Sequence, residues 1–454
     1  MQPAAGSTPS AAVESDVVVI GSGSGGGVAA LEIVRTGLSV ALVEQGRFGG
    51  ECHYVACVPS KALLIAARAG ATWADALRRR EVAVDERSDA AAVREYEKAG
   101  IRLIRGRAVI SDVRTVSVIG DRGDPTVLSW SRGLVLAPGS EPVIHEVPGL
   151  TSAMMWTSEQ ALSSFDLPAA LLVMGGGAVG CELAQIYAAF GSKLTIVEKA
   201  DRLLATEQPW VGETVADNLR AAGLTVLTGT EATSAQQAED AMIVELSDGS
   251  RWTGDRVLMA GGRTPRTDGI GLERLGITLG DKAEIPVDLR CHVLIDGRAA
   301  ADVFAVGDVT ATAPFTHTAN AQARTVAGEL TRSGRDVQLA ASPRAVYTDP
   351  TVWCVGMTEA AAHEAGLQVR TAAIDISQVE RGTLEGLTGR FELIADQQGT
   401  VLGAAAVGPG ADGWATTAQL AVQLRLPVDV LGDALFAFPT LAEAVGLAAR
   451  ALVR

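Results

Sequence analysis

Cysteine is scarce in this chain: five in 454 residues, an odd number scattered over some 300 positions. That distribution excludes the dense disulfide framework of a small secreted scaffold. Basic charge is also in short supply, with 38 Lys and Arg against 53 Asp and Glu and a net charge of -15. With no basic stripe to offset it, this balance repels a phosphate backbone, and nucleic acid is not an expected partner. Long apolar runs are missing too, and none approaches the ~20 residues of a membrane span. The first fifteen residues lack the basic start and apolar stretch of a signal peptide. Residues 1–13 read as a disordered leader, and the chain as cytoplasmic.

With 48 % hydrophobic and 20 % charged residues, the chain can bury ordinary globular cores. Its length suggests roughly three domains at the usual ~150 residues each. Fifty glycines are well above the average of about 7 %, and several follow short apolar runs.

The most informative of these runs is DVVVIGSGSGGGVAALEIVRTGLSVALVEQG, starting at Asp16. A buried strand over 17–20 enters a tight turn at Gly21, Gly23 and Gly26, continues as an Ala-rich helix, and returns as a strand ending at Glu44. The first glycine permits the turn, the second lets the backbone approach a pyrophosphate, and the third packs helix against strand. Glu44, 23 residues after Gly21, is placed to bond a ribose. The unit recurs 154 residues later, with Gly175, Gly177 and Gly180 followed by Glu198. One such loop is weak evidence; two in register point to two dinucleotides. A third signal is DVFAVGDV, from Asp302, where a strand ends at Asp308 in position to meet sugar or ribitol hydroxyls.

Cys52 and Cys57 lie in GGECHYVACVPSKALL, residues 49–64. Five positions apart on a regular helix, they would sit about 140° around the axis and rise about 7.5 Å. A disulfide needs α-carbons closer than about 7 Å, so a bridge requires a distorted helix, and Pro59 supplies a restriction nearby. The alternatives are an unlinked pair or, less readily, a metal site, for which no second ligand pair is visible. Cys181, Cys291 and Cys354 read as small buried hydrophobes.

With these motifs in place, the chain resembles the pyridine nucleotide-disulfide oxidoreductases, the group containing lipoamide dehydrogenase, glutathione reductase and mercuric reductase. The resemblance runs from Asp16 onward and rests on the two glycine loops, GG-x-C-x4-C-x-PSK, APGS at 137–140, GGRTP at 261–265, VGDV at 306–309 and SPRAVYTDPTVWCVGMTEAAA from Ser342. It implies an α/β fold with two nested Rossmann-type domains, for FAD and NAD(P), plus a C-terminal α+β dimerisation domain. The expected divisions are an FAD domain over 14–150, an NAD(P) domain over 151–270, completion of the FAD domain over 271–337 and an interface domain over 338–454 of a homodimer.

Carried over by position, the resemblance assigns FAD to Gly21, Gly23, Gly26, Glu44, Gly50, Ala108, Ser140, Asp308 and His317. It assigns NAD(P) to Gly175, Gly177, Gly180, Glu198, Gly262 and Arg263. Electrons would pass from the nicotinamide through FAD to the cysteine pair, with Cys57 as the thiolate against the flavin and Cys52 as the outer, attacking thiol. Lys61, paired with Glu182, would stand near the flavin's reacting edge. Glu198 favours NADH over NADPH because it repels a 2′-phosphate, although Lys199 beside it could receive one.

The chain also departs from the family pattern. Where disulfide-reducing relatives carry His-Pro-Thr-x-x-Glu, this chain reads FAFPTLAEAV, with Phe438 at the histidine position and Glu443 at its orienting acid. Loss of a placed proton donor typically costs 10² to 10⁴ in rate. His53 and Tyr54, directly after Cys52, are candidate substitutes. Glu51 and Ala56 stand where Thr and Gly are usual. Only 44 residues separate Lys61 from Gly106, which predicts a shortened helical region on the disulfide side. The C-terminal cysteine pair of mercuric reductases has no counterpart, which argues against that activity. The expected function is reduction of a disulfide or similar acceptor by NAD(P)H. A flavin-only quinone or diaphorase-type reductase and a noncatalytic scaffold are the rivals.

Overall fold

In this computed structural model, residues 13–120, 125–238 and 241–453 are described; most of the expected leader lies outside them. They fall into two compact units, one within Met1–Val58, Val84–Glu141 and Arg263–Leu339, the other within Pro59–Ala83, Pro142–Gly262 and Ala340–Arg454.

The first unit is built on the strand Val13–Ile20, which pairs in parallel with Val40–Glu44 on one side and Pro125–Leu136 on the other. The strand starts earlier than the sequence pattern places it, because Val13, Glu14 and Ser15 pair with Leu128, Ser129 and Trp130. Its unbroken apolar run has a simple cause. Side chains alternate across a sheet, and both faces here are covered, as in parallel α/β sheets generally. Val17 and Val19 pack with the helices Ser24–Val34 and Thr316–Leu330. Val18 and Ile20 pack against Ile110, Val116 and Leu134 on the opposite face.

The second unit repeats this plan. Five parallel strands, in the spatial order Thr225–Thr228, Lys193–Glu198, Ala170–Met174, Arg256–Met259 and Met155–Trp156, form its nucleotide-type sheet. The helix Ala178–Ala189 buries Cys181, Leu183, Ala184 and Ile186 against that sheet. A five-stranded antiparallel sheet has Arg344–Val346 and Val369–Asp375 at its edges and Val401–Gly408 at its centre, and the helix Glu443–Val453 packs Ala444, Val445, Ala448 and Leu452 into its core. Buried polar contacts tie the two sheets together. Glu392 accepts hydrogen bonds from Gln208 Nε2 at 2.6 Å and Trp210 Nε1 at 3.1 Å, and Arg344 binds Glu207 through two bonds of 2.7 and 2.8 Å. Among the described residues no helix is long and apolar enough to cross a membrane.

Candidate active site

The in-register repeat extends to individual hydrogen bonds. Glu44 accepts from Ser22 N–H at 2.9 Å and from Gly46 N–H at 2.7 Å. At the equivalent positions, Glu198 accepts from Gly176 N–H at 2.5 Å and from Ala200 N–H at 2.7 Å. Each acid at a strand end is thus fixed by its own glycine turn. Gly21 and Gly175 have φ of 91° and 116°, and a β-carbon on either would press on the carbonyl of Ala137 or Ala260 at 2.1 or 2.4 Å. A β-carbon on Gly26 or Gly180 would strike the oxygen of the first glycine at 1.9 or 2.0 Å. The middle glycines differ, with space open beside them: Gly177 has no atom within 4 Å of that position and Gly23 only the Gly50 α-carbon at 4.0 Å. The helices that follow begin without a side-chain cap, leaving their amide groups for an anion. Both loops fit a dinucleotide pyrophosphate.

The cysteine segment departs from a regular helix where a bridge would need it to. The helix Gly50–Tyr54 ends at Val55, with φ -139° and ψ 7°, and a second helix begins at Cys57. Both cysteines converge on Thr316, whose Oγ1 lies 3.2 Å from Cys52 Sγ and 4.0 Å from Cys57 Sγ. Cys52 is lowered from 9.0 to about 6, chiefly by its hydrogen bond with Cys57 and secondarily by Thr316 and Ser24, against the opposing effect of burial. By contrast, burial pushes Cys181 and Cys291 up to about 12 and raises Cys354 well above the usual range. Burial thus disfavours the thiolate at all three.

Lys61 and Glu182 form more than a surface ion pair. Glu182 is buried and takes Lys61 Nζ at 2.7 Å, Ser60 Oγ at 3.0 Å and Tyr347 N–H at 2.9 Å. The Lys61 ammonium also stands 4.6 Å from the Tyr347 ring centroid, a cation–π distance.

Several expected residues gather in the first unit. Asp308 accepts from Ser140 Oγ at 2.6 Å, and Gly50, at φ 71°, lies so near Gly23 that its β-carbon would fall 2.4 Å from the Gly23 α-carbon. Arg263, expected with NAD(P), bonds Ser140 Oγ through Nε at 2.7 Å and Glu51 through Nη2 at 2.7 Å. Its guanidinium is drawn there by Glu51, which also takes Arg266 at 2.6 Å. Ala108 is buried in the core, and His317 is exposed and stacked on Phe315. Gly262, at φ 112°, has open space beside it in the second unit. Glu443 is engaged locally, accepting from Thr440 N–H at 3.1 Å at the start of the last helix, while Phe438 is exposed. Sequence reasoning missed Thr316 and Ser24, both hydroxyls that serve Cys52, and the double ion pair of Glu51.

Two Rossmann-type glycine loops, a close cysteine pair and a partly buried Lys–Glu pair are the parts expected of a two-nucleotide flavoprotein oxidoreductase. The chain belongs to the pyridine nucleotide-disulphide oxidoreductase family, whose model matches residues 15–324, while the model of the family's dimerisation domain matches 342–449. The family depends on FAD and uses NAD(P)H, and the dimerisation domain supports a homodimer. The chain is similar to a mercuric reductase of Streptomyces lividans (33 % identical, covering 96 % of this chain and 95 % of the relative). A dihydrolipoyl dehydrogenase of Geobacillus stearothermophilus is 29 % identical, with 95 % of each chain covered. Among solved structures, the Cu(II) complex of the HOCl-induced flavoprotein disulfide reductase RclA from Escherichia coli superposes with a TM-score of 0.86, at 26 % identity over 97 % of this chain and 100 % of the other.

Proposed function

We propose that this chain is an NADH-dependent flavoprotein reductase that delivers electrons through Cys52 and Cys57 to a disulfide or comparable small acceptor. The observation that carries the reading is the convergence of both thiols on Thr316, with Cys52 held ionised at neutral pH. A thiolate, not a thiol, attacks a disulfide. Cys52 bonds to one acceptor sulfur and expels the other; Cys57 then attacks Cys52 Sγ, releases the bound half, and leaves an intramolecular disulfide. Bound FAD supplies the two-electron link between nicotinamide and that disulfide. The first glycine loop, Glu44, Gly50, Ser140 and Asp308 are the groups for holding it. On this reading the FAD domain spans 14–150 and 271–337, the nucleotide domain 151–270 and the interface domain 338–454. The sparse cysteines support a reducing compartment such as the cytoplasm.

The preference for NADH rests on the second loop. Glu198 is fixed through both carboxylate oxygens, and Lys199, the cation that could receive a 2′-phosphate, pairs with Glu231 at 3.1 Å.

NADH-driven reduction of a panel of disulfides and quinones by the wild type and Cys52→Ser tests the route. Loss of disulfide turnover in the variant supports it. Full retention means that the flavin alone hands on electrons, as in a quinone or diaphorase-type reductase. The Cu(II) complex of RclA places a cupric salt on the same panel.

A further inference from the structure

The residue after the attacking thiol belongs to a dyad. His53 Nε2 lies 3.0 Å from Asp85 Oδ2, and both side chains are exposed. The imidazole packs edge-on against Tyr54, with centroids 4.8 Å apart at 90°. The carboxylate is delivered by an unusual turn. Asp85, Glu86 and Arg87 have successive φ of 51°, 50° and 61°, a left-handed run that costs non-glycine residues roughly 1–2 kcal/mol each. The turn is anchored back on the cysteine helix, since Arg87 Nη1 donates to the Tyr54 carbonyl at 2.9 Å. A loop held in this conformation and tied to both His53 and Tyr54 fixes an imidazole that would otherwise swing freely.

We propose that His53, oriented by Asp85, is the proton donor to the leaving thiolate when Cys52 attacks a disulfide. The proposal rests on the disulfide-reductase reading above. Consecutive α-carbons stand about 3.8 Å apart, and the leaving sulfur lies one S–S bond, about 2.05 Å, beyond the sulfur under attack. The step balances. Cys52 Sγ forms a bond to one acceptor sulfur, the acceptor S–S bond breaks, and its electron pair leaves on the second sulfur, which takes the proton from His53. The proton on Cys57 passes to the second thiolate when Cys57 closes the intramolecular disulfide. The imidazole meets Asp85 through Nε2 and Tyr54 through a T-shaped ring contact, and Arg87 ties the turn to the Tyr54 carbonyl. The dyad thereby fills the chemical role left open where Phe438 replaces a histidine.

The test compares a dialkyl disulfide, bis(2-hydroxyethyl) disulfide, with an aryl one, 5,5′-dithiobis(2-nitrobenzoate), whose thiolate leaves as a stable anion. In His53→Gln the ratio of dialkyl to aryl turnover is expected to fall by about 10²-fold. In Asp85→Asn the same ratio falls less. Because both side chains are exposed the variants retain the fold, which the bound-flavin absorption of the purified proteins checks. An unchanged ratio in folded His53→Gln, or an equal loss with both probes, overturns the dyad. A wild type that reduces neither disulfide overturns the disulfide-reductase reading itself.

Discussion

The reactivity of Cys52 is set by three neighbours, two of them hydroxyls from segments remote in sequence. Its pKa of about 6 lies below the 9.0 of a free thiol. The sign follows from that depression: ionisation stabilises the folded dithiol enzyme fully above about 9, and this contribution disappears as the pH falls through about 6. Alkylation of Cys52 by iodoacetamide in the reduced enzyme is therefore expected to titrate with a midpoint near 6. Cys57→Ala removes the largest stabilising contact and moves the midpoint upward, and Thr316→Val does so by a smaller amount. A wild-type midpoint close to 9 would refute this account. Little of the arrangement was legible beforehand. The spacing of Cys52 and Cys57 demanded a broken helix, and Val55 breaks it. Thr316 lies 264 residues from Cys52, and no local pattern marks a hydroxyl for a sulfur that distant. The bonds from Arg263 to Glu51 and Ser140 were unreadable for the same reason, because both partners are remote in sequence.

The glycine loops were the most legible elements, since each glycine answers a local steric demand that is visible in spacing alone. The structure separates those demands. A β-carbon at Gly180 meets a backbone oxygen at 2.0 Å, whereas at Gly177 it meets open space. Gly180→Ala should lower stability by about 1–3 kcal/mol, the usual cost of overpacking, with a fall in thermal midpoint. Gly177→Ala should fold as the wild type does and raise the KM for NADH. Equal thermal midpoints for the two variants would contradict the distinction. On the proposed reading, the acid at the end of the strand Lys193–Glu198 sets the cofactor. NADH should be preferred by at least about tenfold in kcat/KM, or about 1.4 kcal/mol, and Glu198→Ala should shrink that preference by relieving repulsion of the 2′-phosphate. A wild-type preference for NADPH above tenfold would sink the assignment.

At the scale of the whole molecule, the family's dimerisation domain leaves a concentrated apolar surface. Leu420, Leu424, Val430, Leu435 and Phe438 are all exposed within 19 residues, Leu435 completely so. Covering one such side chain is worth roughly 1.5–3 kcal/mol, and a symmetric pair of subunits covers each twice. Phe438, at the position where the family resemblance expects a histidine, is exposed and adds apolar surface there. Sedimentation at micromolar concentration should show a dimer for the wild type, and Leu435→Glu combined with Phe438→Glu should shift it toward monomer, because burial of two carboxylates per subunit opposes association. A double variant that remains fully dimeric would mean that subunits meet through another surface. If the variant is monomeric and also loses NADH-driven disulfide turnover while alkylation of Cys52 keeps its midpoint near 6, association serves the acceptor side of the reaction rather than the preparation of the thiolate.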